Sequence, residues 1–136
     1  MKWQKRLKQA GWTLWCWGGL ALCGAAPGWA ATVGELRCEF LVNPQGIDAA
    51  APRLSWQMQS NRRGARQTAF QVQVSSSPDR LKVGRADLWD SGKVPSDQSH
   101  LVRYAGRELA SRQACHWRVR IWDEAGKVSR WSETAS

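Results

Sequence analysis

HWRVRIWDEAGKVSRWSE, residues 116–133, is the stretch whose reading decides the fold. Cys115, Trp117, Val119 and Ile121 fall on one side of an extended chain, and His116, Arg118, Arg120 and Trp122 fall on the other. That period of two is the mark of a half-buried strand. A helix would set Arg118 in the same stripe as Cys115, Ile121 and Trp122, whereas alternation needs no exception through Ile121. Ala125-Gly126 then marks a turn, and a second arm starts near Trp131, shortly before the last residue, Ser136. The pattern predicts a hairpin with an incomplete last strand. The 115–123 strand is therefore expected to leave an unpaired edge, a template for self-association, and the module is expected to be marginally stable alone.

Shorter extended runs recur upstream. Leu36, Cys38 and Phe40 alternate with Arg37 and Glu39 before the turn residues Asn43-Pro44-Gln45-Gly46. Leu54, Trp56 and Met58 alternate with Ser55 and Gln57, and Asn61-Arg62-Arg63-Gly64 supplies a polar turn. Phe70, Val72 and Val74 alternate with Gln71 and Gln73, the clearest half-buried strand pattern in the chain. Ser77-Pro78-Asp79 has the chemistry of a helix start, with Ser as cap and Pro at the first helical position, and Gly84 is its stop one or two turns later. Extended pieces follow over 87–94 and through Leu101, Val102 and Tyr104. Short strands separated by turn signals at about 8 to 12 residue spacing, with little helix, predict an all-β, antiparallel sandwich.

Residues 1–30 read as an export signal. Lys2, Lys5, Arg6 and Lys8 give a basic start, an uncharged apolar run follows from Trp12 to Ala26, and Gly28-Trp29-Ala30 suits a cut after Ala30. The run is shorter than the ~20 residues a spanning helix needs. Membrane contact is thus expected only through this segment before cleavage, leaving 31–136 as one sandwich domain in the periplasm or outside the cell. The four cations of the signal account for much of the formal charge of +9, and the remaining Lys and Arg are scattered among acids. Such scatter argues against nucleic-acid binding, which needs a gathered basic patch. Cys16 and Cys23 lie in the signal, so only Cys38 and Cys115 remain. They form a candidate disulfide in an oxidising compartment if their Cα atoms come within about 7 Å, and are otherwise two small buried hydrophobes.

Five segments in register, LRCEFLVNPQGID, PRLSWQMQS, RQTAFQVQVSSSP, DLWDSGKVPSDQS and HWRVRIWDEAGKVSRWSE, resemble the N-terminal immunoglobulin-like or fibronectin-III-like domain of bacterial α-L-rhamnosidases, glycoside hydrolase family 78. The likeness runs from about Leu36 to Glu133. It implies a non-catalytic immunoglobulin/fibronectin-III-like module of a secreted enzyme that removes terminal α-L-rhamnose with inversion. The acid and base of that enzyme would sit in an (α/α)6 barrel downstream, and the module's partners would be those downstream domains.

The residues themselves agree with a non-catalytic reading. Inversion needs two carboxyl groups about 6.5 to 9.5 Å apart around a sugar and a water. Asp123 and Glu124 are adjacent, so on an extended chain they point to opposite faces, and Gly126 marks the place as a turn. His100, His116, Cys38 and Cys115 lack the close ligand spacing of a zinc site. No catalytic residue, metal or cofactor is expected. A candidate contact surface comprises Trp89, Arg118, Arg120, Trp122 and Trp131. Arg118 and Arg120 stacked on Trp131 would resemble the ladder of the tryptophan-serine motif in cytokine-receptor fibronectin domains; the tryptophans would alternatively offer a platform for a neighbouring domain or weak carbohydrate contact. The alternative to a module of a larger enzyme is a free-standing exported module that binds carbohydrate or protein.

Overall fold

The computed structural model describes residues 31–136; the export signal expected over 1–30, with Cys16 and Cys23, lies outside the described residues. Two antiparallel sheets face each other. One holds β1 (Thr32–Cys38), β2 (Arg53–Gln59) and β6 (Val102–Arg103) in the order β1-β2-β6. The other is built on β3 (Gln67–Ser75), which pairs with β4 (Trp89–Asp90) and β5 (Val94–Pro95) along one edge and with β7 (His116–Asp123) along the other. Leu54 and Trp56 of the first sheet meet Phe70, Val72, Val74, Trp117, Val119 and Ile121 of the second in a single core. Every second residue of β7 is buried, as its alternation requires.

The short helix α1 (Pro78–Lys82) follows its local code. Ser77 has extended backbone and its hydroxyl accepts from the Asp79 N–H, Pro78 opens the first turn, and Gly84 at φ +73 closes it with its N–H on the Leu81 carbonyl. Phe40 departs from the strand pattern. Cys38 and Leu41 exchange two backbone bonds of 2.9 Å while Glu39 and Phe40 both take positive φ, so β1 ends in a tight turn and Phe40 swings out. Its ring then sits edge-on to His100 and beneath the Arg53 guanidinium.

Segment 128–135 departs from expectation more usefully. It is too irregular to be a strand, yet it runs along all of β7. The Trp117 N–H and carbonyl both bond Ala135, the Val119 and Ile121 carbonyls accept from Ser132 and Ser129, and the Asp123 N–H reaches the Lys127 carbonyl. Two N–H groups of β7 remain, and hydroxyls take them: Val119 donates to Ser132 Oγ and Ile121 to Ser129 Oγ, each at 3.0 Å. The edge expected to be bare is covered. Hydroxyl acceptors stand in for main-chain carbonyls, which is why no regular ladder forms.

Candidate contact surface

Register builds the outer face of the second sheet. Arg118 lies opposite Gln73, Arg120 opposite Gln71 and Trp122 opposite Ala69, so the three β7 side chains point the same way. Arg118 donates through Nε and Nη2 to Gln73 Oε1 at 3.1 and 2.8 Å, and Arg120 Nε to Gln71 Oε1 at 2.9 Å. Each glutamine passes the polarity on, with Gln71 Nε2 donating to Asp90 Oδ1 and Gln73 Nε2 to Asp90 Oδ2. Two parallel chains thus run from guanidinium through amide to one carboxylate.

Aromatic rings cover the cationic end. The Arg118 and Arg120 guanidiniums lie 4.3 and 4.6 Å from the Trp131 ring centre. Trp122 takes Arg120 at 5.2 Å and Lys93 Nζ at 4.9 Å. Each stack contributes about 0.5 to 1 kcal/mol when exposed. Under this cover Gln71 and Gln73 are buried, although their alternation with Phe70, Val72 and Val74 predicts a solvated face. Burial lowers the Arg118 pKa, with the Arg120 charge adding to it. Burial also pushes Asp90 upward, but bonds from Gln71, Gln73 and the Gly92 N–H outweigh it and hold the carboxyl below its usual range. Asp90 is therefore an ionised acceptor that anchors both glutamine chains.

The structure brings Arg118, Arg120, Trp122 and Trp131 together and leaves Trp89 out. Trp89 lies opposite Val74, on the core side of the sheet, packed edge-on to Tyr104 at 5.3 Å. The members absent from the sequence reading are Gln71, Gln73, Lys93 and Asp90. A turn signature at Asp90-Ser91-Gly92, where the Gly92 N–H bonds Asp90 Oδ1, could have placed Asp90 beside a strand, but nothing local in the sequence marks Gln71, Gln73 or Lys93.

Other polar groups are committed to structure. Asp87 accepts from the Ser75 and Ser76 hydroxyls and the Ser76 N–H, and those bonds hold its carboxyl well below the usual range. Asp123 Oδ1 caps the hairpin turn by accepting from the Ala125 and Lys127 N–H groups. Glu124 pairs with Arg62, and Glu39 with Arg53. Among the described residues no three His, Cys, Asp or Glu gather as a metal site. Cys38 and Cys115 are free thiols rather than the candidate disulfide, and Cys115 Sγ lies 3.7 Å from the Gln113 carbonyl. Burial pushes Cys38 up to about 11, with Glu39 and Cys115 adding, and burial and then Asp87 raise Cys115. Raised thiols are poor nucleophiles and poor metal ligands. Both line a cleft of about 810 Å³ at one end of the sandwich, between residues 44–52 and 109–115.

Comparison with known proteins bears on the fold and the family. Residues 33–136 match the family model described as "Rha78A-like, N-terminal immunoglobulin domain". An α-L-rhamnosidase of Streptomyces avermitilis is 52% identical over 94 residues, 69% of this chain and 9% of the relative. One of Alteromonas sp. is 44% identical over 98 residues, 71% of this chain and 10% of the relative. The chain thus spans about a tenth of the length of these curated relatives. Among solved structures, the Streptomyces avermitilis α-L-rhamnosidase complexed with L-rhamnose superposes with a TM-score of 0.74 at 48% identity, over 78% of this chain and 10% of that one. The α-L-rhamnosidase from Dictyoglumus thermophilum gives 0.73 at 37% identity, over 76% of this chain and 12% of that one.

Proposed function

The chain belongs to the family of Rha78A-like N-terminal immunoglobulin domains, and from that premise we propose that it is a non-catalytic module of an exported, rhamnosidase-like glycoside hydrolase, with a structural and interdomain-docking role. The whole protein would hydrolyse terminal α-L-rhamnose with inversion, through carboxylates outside this chain. The observation that carries the reading is the match itself, which fills most of this chain yet only about a tenth of each enzyme it resembles.

The committed carboxylates support it. A general acid in glycoside hydrolysis needs a raised pKa, whereas Asp87, Asp90, Glu39 and Glu124 are all lowered by their hydrogen bonds. The test is hydrolysis of an aryl α-L-rhamnoside by the purified chain. No release of the aryl alcohol above the buffer rate is expected; sustained turnover that disappears on denaturation would sink the reading.

A free-standing carbohydrate-binding module is the competing account. Stacking a sugar needs an open ring face, but Trp122 and Trp131 each have two cations over their rings. Titration with rhamnose-containing oligosaccharides separates the accounts: saturable binding lost in Trp122→Ala favours the sugar binder.

A further inference from the structure

The end of the sandwich that holds Ser136 carries three features that the fold alone does not use. The tight turn after β1 sets Phe40, Leu41 and Val42 in a row, at 52, 57 and 61% exposure. Single exposed apolar side chains are ordinary, but a contiguous group marks a contact surface. Next to it, the Ser136 N–H donates to Asn43 Oδ1 at 3.0 Å, tying the last residue to this turn. The cleft described above begins at the same place, lined by Cys38, Pro44, Ser136 and Trp117. Trp117 is 3% exposed, and its Nε1–H is a buried donor with no acceptor among the described residues. A buried N–H calls for a carbonyl or similar oxygen.

The arginine-tryptophan face has no such need. Its guanidiniums are bonded to glutamines and stacked on rings, so docking there would gain little that is not already made.

We infer that the end of the sandwich formed by residues 39–48, 109–117 and Ser136 is the seat of the polypeptide that follows this module in longer members of the family. Apolar side chains of that polypeptide cover Leu41 and Val42, and its main chain runs over the cleft. The relatives point to the occupant: they are matched through a domain described as N-terminal and have most of their length outside the match, and the matched region reaches Ser136, whose N–H is bonded to the turn. The inference rests on the reading that the chain is a module of a longer hydrolase, and its test separates the two.

Hydrogen exchange is measured on this chain alone and on a Streptomyces avermitilis α-L-rhamnosidase whose matched region is replaced by residues 33–136. Amides of 39–48 and 109–117 are expected to exchange about tenfold more slowly in the chimera, with 118–122 unchanged. Leu41→Asp with Val42→Asp should lower the melting temperature of the chimera while leaving that of the isolated chain unchanged, which a merely structural role would not do. Leu41→Ser with Val42→Ser serves if the aspartates prevent folding. Added protection confined to the 118–131 face overturns the inference and leaves the module reading standing. No added protection anywhere overturns both.

Discussion

Gly106 has no room for a side chain: a Cβ there would lie 2.4 Å from Trp89 Cβ, 2.5 Å from the Leu88 carbonyl oxygen and 2.6 Å from Tyr104 Oη. Two of these neighbours are backbone or buried ring, so they cannot step aside. Gly106→Ala is expected to cost about 1 to 3 kcal/mol, read from the urea midpoint at constant slope. Asp87 makes a second prediction. Its folded pKa is depressed, so its contribution is present above the unfolded value of about 3.9 and is lost as pH falls through the folded value. Asp87→Asn should therefore be less stable than the parent at pH 7, and the gap should narrow as pH drops from 4 toward 2. Urea unfolding at several pH values checks this; a gap that stays constant contradicts it. Neither role was legible in the sequence. Asp87 reads as an ordinary loop acid because its partners, Ser75 and Ser76, come to it only when the chain returns past β3. Nothing in the sequence sets Gly106 apart, because its constraint comes from Leu88, Trp89 and Tyr104 packed around it in the fold.

At the scale of elements, alternation located β2, β3 and β7 and the capping chemistry located α1, since both signals are local. What alternation missed is how deeply β3 is buried. Its outer face is covered by Arg118, Arg120 and Trp131, far along the chain, and a period of two cannot report a second layer laid over the polar side. Phe40 was misplaced for a related reason: the backbone reversal at Glu39 and Phe40 breaks an apparently continuous pattern. The hydroxyls on β7 give the test. Ser129→Ala or Ser132→Ala removes the acceptor of the Ile121 or Val119 N–H, at an expected cost of about 1 to 3 kcal/mol for each stranded donor. Amide exchange at Ile121 or Val119 should rise in the matching variant and not in the other.

For the whole molecule, the expected bare edge is absent. Segment 128–135 lines β7, two-residue strands blunt the far side of β3, and β1 carries a bulge between Gly34 and Arg37. Interrupted edges are poor templates for another strand. Residues 31–136 alone are accordingly expected to sediment as a monomer and to melt in one cooperative step, against the self-association that the sequence pattern suggested; concentration-dependent growth in mass would restore that expectation. Sandwich class and family likeness were legible because they rest on many weak local signals in register, whereas edge protection rests on main-chain bonds from an irregular segment and on two hydroxyls, whose use appears only in three dimensions. Those hydroxyls have a further effect. They act as index marks for threading: if the terminal arm slid by a single position one way, valine and tryptophan would arrive where an oxygen must be, and the other way arginine would arrive at one mark and the longer glutamate at the other, so a donor of the neighbouring strand is stranded either way. Misaligned pairings are thereby disfavoured in both directions, and the arm has only one place to stop.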